Sequence, residues 1–139
     1  MKIQRALFSK GTSAFFFDDQ RAIKAGADHD GFVYVGTPLT ERFSSIREAG
    51  QSISIQFILE DGQIALGECA AVQYSGAGGR DPLFLADHYI SFLEREIRPM
   101  LEGMEIVPFR EMADRFMNLK FEGRQLHTAL RYGLSGALL

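Results

Sequence analysis

Residues 52–71 read SISIQFILEDGQIALGECAA, and the reading of this stretch decides the fold. Ser52 to Gln56 alternates polar and apolar residues, and Phe57-Ile58-Leu59 continues as an apolar run. A period of two places alternate side chains on opposite faces of an extended chain, so this is a strand. Asp61-Gly62 is a two-residue turn that accepts positive φ angles. Ile64 to Ala71 then returns as the partner strand. The chain therefore contains an antiparallel hairpin with one buried face.

Upstream, Ile3 to Phe8 and Ala14 to Phe17 read as two further strands. Asp18 and Asp19 offer caps for a helical turn through Ile23, which Gly26 closes. Ala27 to Gly31 is turn-like and Phe32 to Val35 is extended. Thr40 to Ala49 fits a short helix or an extended segment. Downstream, a glycine-rich stretch, AVQYSGAGGRDP over residues 71–82, leads into helices. Asp81-Pro82 places a cap before a proline at the first helical position. Leu85, Ala86, Tyr89, Ile90, Leu93, Ile97 and Leu101 follow at helical spacing. Pro99 should kink this helix or close it early, and Gly103 ends it. A second helix runs from Phe109 to Leu119, with Phe109, Met112, Ala113, Phe116 and Met117 on one face. A third starts near Gln125, with Leu126, Ala129, Leu130, Gly133, Leu134, Ala137 and Leu138 in phase. The expected class is α+β: a small antiparallel meander followed by a helical bundle.

That third helix has no C-cap glycine, no basic last turn and no polar tail. The expectation is that the chain is the front part of something longer. An exposed stripe of Leu126, Leu130, Leu134, Ala137 and Leu138 would then drive self-association.

The 139 residues carry a net charge of −3, with 46% hydrophobic and 24% charged residues. This is the balance of a single globular domain, and it shows no basic stripe for nucleic acid. No apolar run approaches the ~20 residues of a membrane span. The start, MKIQRALFSKG, lacks the apolar segment of a signal peptide. A single cysteine, Cys69, forms no internal disulfide, so a reducing cytoplasm is expected. The twelve phenylalanines are assigned to the core.

Few residues suggest chemistry. Asp28-His29-Asp30 sets two carboxylates beside an imidazole, but neighbours in a turn point different ways and no second ligand cluster exists. We read it as a turn. His127 is placed on a partly exposed polar face, His88 on the polar side of the long helix, and Cys69 as a small buried hydrophobe. No nucleophile has an adjacent base. The glycine stretch lies where phosphate loops lie, yet it matches neither the dinucleotide fingerprint nor the Walker pattern. Asp81 as a cap would repel an anion there. What remains is a glycine loop (Gly76, Gly78 and Gly79) carrying Gln73, Tyr74 and Arg80, side chains suited to a small polar ligand and a composition suited to a lid.

The run CAAVQYSGAGGRDPLFLA over residues 69–86 is long and low in degeneracy. With Phe16–Lys24, His29–Phe32, Ser52–Ser54, Leu59–Gln63, Leu126–Ala129 and Arg131–Gly133, it resembles the N-terminal region of the methylaspartate ammonia-lyase family of the enolase superfamily. The resemblance covers nearly the whole chain. It implies a capping domain over residues 1–123, with residues 124–139 leading toward a (β/α)-barrel absent from this chain. It implies loss of ammonia from 3-methylaspartate to give mesaconate, using a lysine and a histidine of the barrel as bases. Magnesium on barrel carboxylates and a monovalent cation, potassium, are implied for the complete enzyme, and none is bound by this chain. Gln73 maps to the substrate pocket, with Tyr74, Gly76, Gly78, Gly79 and Arg80 as lid neighbours. No catalytic or metal residue is carried over. The implied partners are the barrel, a small amino-acid substrate and further copies in a homo-oligomer, but neither nucleic acid nor a membrane. The chain alone is expected to be inactive. The alternative is a non-enzymatic binding or oligomerisation module that keeps the capping fold.

Overall fold

The Asp61-Gly62 hairpin forms as its residues require, with Gly62 at φ 87° in the left-handed region. The computed structural model of the chain describes residues 1–71 and 81–139. Along it run β1 (Ile3–Asp18), α1 (Gln20–Lys24), β2 (Asp28–Asp30), β3 (Val33–Val35), β4 (Arg47–Leu59) and β5 (Ile64–Ala70). These are followed by α2 (Ala86–Phe92), a π-helical turn (Leu93–Ile97), α3 (Arg98–Leu101), α4 (Phe109–Met117), β6 (Lys120–Phe121), β7 (Arg124–Gln125) and α5 (Thr128–Gly136).

The main sheet has the antiparallel order β1-β4-β5. Its register sets Phe8 opposite Ile55 and Ala6 opposite Phe57 on one side, and Ile53 opposite Cys69 and Phe57 opposite Ala65 on the other. The alternation puts Ala6, Phe8, Ile53, Ile55, Phe57 and Cys69 on one buried face. The helices cover that face with Leu93, Ile97, Leu101, Leu130 and Leu134. The two early strands expected separately are one strand, β1, with an irregularity between Thr12 and Phe16. The free edge of β1 is covered by side chains: Arg98 Nε donates to the Ala6 carbonyl at 2.9 Å, and the Ala6 amide donates to Glu102 Oε1 at 3.1 Å. Pairing these groups keeps the edge from templating another strand.

Several expectations are corrected. Asp28-His29-Asp30 is not a turn but the first strand of a small hairpin with β3, His29 facing Tyr34. Of the two readings of residues 40–49, the helix does not form and the extended one holds for 47–49, which belong to β4. Pro99 does not end the long helix. The helix widens into the π turn just before it, with the Arg98 amide donating to Leu93 O. A wider turn relieves the clash that a proline ring makes with the preceding turn. Phe15, Phe16, Phe32, Phe109 and Met117 are exposed rather than buried.

The apolar stripe of the last helix is not exposed. Leu126, Leu130 and Leu134 are fully buried and Ala137 nearly so. This face is seated on β5, because Gly67 and Gly133 bring the two backbones into direct contact. Exposed apolar area lies instead on the β2–β3 hairpin (Phe32, Val33, Val35) and on the outward face of β5 (Ile64, Leu66).

Arg47 fastens the β2–β3 hairpin to the sheet. Its Nε and Nη2 donate to the two oxygens of Asp18 at 2.7 and 2.9 Å, and Nη1 donates to Phe32 O at 3.2 Å. The guanidinium carbon lies 4.7 Å from the Phe32 ring centre and 4.9 Å from that of Tyr34. A lysine keeps the charge but neither the fork nor the planar stacking. Arg47→Lys is expected to cost about 1 kcal/mol and to speed amide exchange in residues 28–35 more than elsewhere. Equal exchange in the two proteins would show that the hairpin is held by something else.

Candidate functional site

Asp19 is the most heavily bonded side chain in the upstream half. It is 0% exposed. Its Oδ1 accepts from the Arg21 and Ala22 amides, which is the cap foreseen for α1. The same carboxylate accepts from the Leu39 and Thr40 amides at 2.6 and 2.8 Å and from the Thr40 hydroxyl at 2.6 Å. Burial alone would raise its pKa, but the hydrogen bonds from Thr40, Leu39 and Ala22 outweigh this and hold it below the usual carboxylate range. Asp19 thus pins the 39–40 turn onto α1.

That turn forms one wall of an open groove of about 1210 Å³. Pro82 and Leu83, the start of α2, the β6–β7 turn and the start of α5 form the others. Its floor is aromatic: Tyr89 lies 5.3 Å from Phe121 between ring centres, and His127 lies 5.8 Å from Tyr89. Among the described residues, the non-glycine residues with positive φ are Arg42 (73°) and Glu122 (50°), and both line this groove. Left-handed backbone at such residues is strained, and strain of this kind gathers at sites that other groups approach.

The histidine at the groove's inner end is buried, contrary to the exposed polar face expected of it. His127 is 5% exposed. Its Nδ1 accepts from the Ala129 amide at 3.1 Å and caps α5. Nε2 therefore carries the proton and donates to the Pro82 carbonyl at 3.1 Å. Burial lowers its pKa more than Asp81 and the Pro82 carbonyl raise it, and Arg131 adds to the lowering. The neutral imidazole is the folded form, so the stability it contributes is present at neutral pH and lost on acidification.

Asp81 does not cap the long helix. α2 begins at Ala86, whose amide donates to Gln51 Oε1 at 2.7 Å. Asp81 Oδ1 instead accepts from the Thr128 amide at 3.2 Å, at the first residue of α5. Arg131 is also engaged: Nε donates to Leu126 O at 2.8 Å and Nη2 to Thr128 Oγ1 at 3.0 Å. His88 packs edge-on against Phe121, its ring 5.0 Å away. Cys69 is buried as expected, and desolvation raises its thiol pKa far above the reactive range. The titratable groups at the inner end of the groove are thus committed to structure. Among the described residues, no group of three or more His, Cys, Asp or Glu side chains is placed to hold a metal ion. Gln73, Tyr74, Gly76, Gly78, Gly79 and Arg80 lie outside the described residues, in the segment that ends at Asp81.

The family model for the N-terminus of methylaspartate ammonia-lyase matches residues 1–139. The chain belongs to this family. It is 60% identical over 139 residues to methylaspartate ammonia-lyase of Citrobacter amalonaticus, covering 100% of this chain and 34% of the relative. A crystal structure of β-methylaspartase from Clostridium tetanomorphum, a magnesium complex, superposes with a TM-score of 0.93 at 56% identity, over 99% of this chain and 33% of that one. The Citrobacter amalonaticus lyase containing (2S,3S)-3-methylaspartic acid superposes equally well, TM-score 0.93 at 59% identity, over 99% of this chain and 34% of that one. The chain therefore spans about a third of the length of the lyases it matches, and it corresponds to their N-terminal part. The α+β fold is that of the N-terminal region of methylaspartate ammonia-lyases, and the resemblance carried by residues 69–86 identified the family correctly. Among the described residues, no helix is long and apolar enough to cross a membrane.

Proposed function

We propose that this chain is the capping part of a carbon–nitrogen lyase that removes ammonia from 3-methylaspartate to give mesaconate, and that it is inactive alone. The supporting observation is the whole-chain match to lyases three times its length, one of them solved with (2S,3S)-3-methylaspartic acid. Residues 1–123 form the cap in this reading, and residues 124–139 lead toward the barrel while the apolar face of α5 stays on β5.

Abstraction of a proton beside a carboxylate needs a divalent ion to take up the charge that develops on the oxygens. The described residues do not fit magnesium, since no cluster of three ligands exists among them. In this reading the metal, the potassium ion and the bases belong to the barrel. Gln73 is this chain's contribution to the substrate site: its amide both donates and accepts, so it meets an ammonium or a carboxylate without adding charge. Tyr74, Gly76, Gly78, Gly79 and Arg80 are its neighbours in a loop over the pocket. The lyase is expected to work in the cytoplasm as a homo-oligomer.

The test is steady-state turnover of 3-methylaspartate by the chain alone and by the complete lyase. The chain alone is expected to show none above a contamination control. In the complete lyase, Gln73→Ala is expected to raise KM roughly three- to tenfold, the weight of one neutral hydrogen bond, with magnesium affinity unchanged. A non-enzymatic module would show no turnover in either form. Unchanged kinetics on every substrate would remove Gln73 from the pocket.

A further inference from the structure

The hydroxyl of Tyr89, on α2, is a buried donor that the described residues leave without an acceptor. Tyr89 is 3% exposed. Its ring is fixed by those of Phe84, His88, Phe121 and His127, at 5.4, 5.1, 5.3 and 5.8 Å between centres. Among the described residues nothing forms a hydrogen bond with the hydroxyl, and its oxygen is not sealed in the core. It therefore opens onto the groove that Tyr89 lines. Burial above all, with the charges of Asp81 and Glu122, raises its pKa against the opposing charge of Arg42. At neutral pH the group is a neutral phenol with one hydrogen bond to donate. A buried donor left unpaired is costly, so folded proteins supply it with an acceptor.

The surroundings select that acceptor. Asp81 and Glu122 would repel a carboxylate or a phosphate brought to the phenol, whereas an uncharged main-chain carbonyl meets no such penalty. The groove, about 1210 Å³, exceeds the roughly 300–1,000 Å³ of small-molecule pockets. Its rim carries Arg42 and Arg124, whose guanidinium groups have no ion pair or hydrogen bond among the described residues. An aromatic floor under a charged rim suits an interface between domains, which is more polar than an obligate one. The last helix, α5, forms one wall, and its Tyr132 is 74% exposed there. The chain covers 34% of the Citrobacter amalonaticus lyase, so about two thirds of that polypeptide lies outside the matched part. We propose that the groove seats the part of the lyase that this chain does not contain, and that the Tyr89 hydroxyl donates there to a main-chain carbonyl. This rests on the reading of the chain as the capping part of a longer lyase. A domain joined to α5 meets the groove at high effective concentration, so a modest set of contacts holds it.

Tyr89→Phe removes the hydroxyl and keeps the ring. In the 139-residue chain it is expected to leave the melting temperature unchanged or to raise it, because a donor without an acceptor is lost. In the complete lyase it is expected to quicken thermal inactivation roughly three- to tenfold, the weight of one neutral hydrogen bond. A lower melting temperature for the chain alone would mean that the hydroxyl is already paired within it. An unchanged inactivation rate in the complete lyase would mean that no acceptor reaches it, and either result overturns the proposal. Hydroxyl-radical labelling gives a readout that needs no activity. The Tyr132 ring is expected to be labelled more slowly in the complete lyase than in the chain alone, by about fivefold or more, because a packed interface excludes solvent. Equal labelling leaves the groove open and overturns the proposal. Slower labelling of the chain alone as its concentration rises assigns the groove to a second copy, which also overturns it. If Tyr132 is protected in a full-length protein that does not turn over 3-methylaspartate, the docking stands and the lyase reading falls. Turnover with Tyr132 still exposed does the reverse.

Discussion

Gly67→Ala is expected to destabilise the chain by about 3 kcal/mol or more, at or beyond the upper end of overpacking costs. Gly67 lies on the inner face of β5, opposite Ile55. A Cβ there would overlap the Gly133 carbonyl oxygen of α5, and it would meet the Ala137 amide nitrogen at 3.0 Å. These are backbone atoms, so no rotamer change relieves the overlap, and α5 would have to lift from the sheet. The approach is reciprocal, because a Cβ on Gly133 would run into Cys69 Sγ and come within 3.0 Å of the Glu68 carbonyl carbon. Lifting α5 would also uncover Leu130 and Leu134. Gly136 is the control. A Cβ there meets nothing within 4 Å, so Gly136→Ala is expected to be neutral or stabilising by up to about 1 kcal/mol. Urea unfolding of the 139-residue chain measures both. A Gly67→Ala loss under about 1 kcal/mol would mean that α5 is not seated on β5.

Asp19→Ala is expected to cost about 3 kcal/mol, combining a lost helix cap with amides left unpaired in a buried place. The Leu39 and Thr40 amides and the Thr40 hydroxyl all point at this carboxylate. Asparagine is no substitute, because its amide nitrogen would face the Leu39 and Thr40 amides, donor against donor. The pH dependence has a definite sign. The folded carboxyl titrates below its unfolded value of about 3.9, so its contribution is complete above that value. It is lost as pH falls through the lower folded pKa. Stability measured across the acid range should fall more steeply in the parent chain than in Asp19→Ala. Parallel curves would show that the carboxylate is not charged in the folded state.

Much of this protein was legible along the chain. The period-two alternation of residues 52–59 and the Asp61-Gly62 turn specified the hairpin, since strand and turn chemistry act over a few residues. The Asp19 cap of α1 was equally local, two and three residues from the amides it meets. Burial of Cys69 followed from the small residues around it, and the uninterrupted run from residue 69 to residue 86 carried the family. The bonds over longer separations left no such trace. Asp81-Pro82 has every local mark of a helix start, yet its carboxylate serves a helix 47 residues away, and Gln51 takes its place on α2. Nothing beside Asp19 announces Leu39 and Thr40, and nothing beside His127 announces Pro82. The last helix shows the same division. Its periodicity revealed an apolar stripe but not which way the stripe would face. That was settled by two glycines, Gly67 and Gly133, distant in sequence, whose missing side chains let helix and sheet meet backbone to backbone. A local pattern states which residues seek burial, and the partner that buries them is chosen only when distant segments pack.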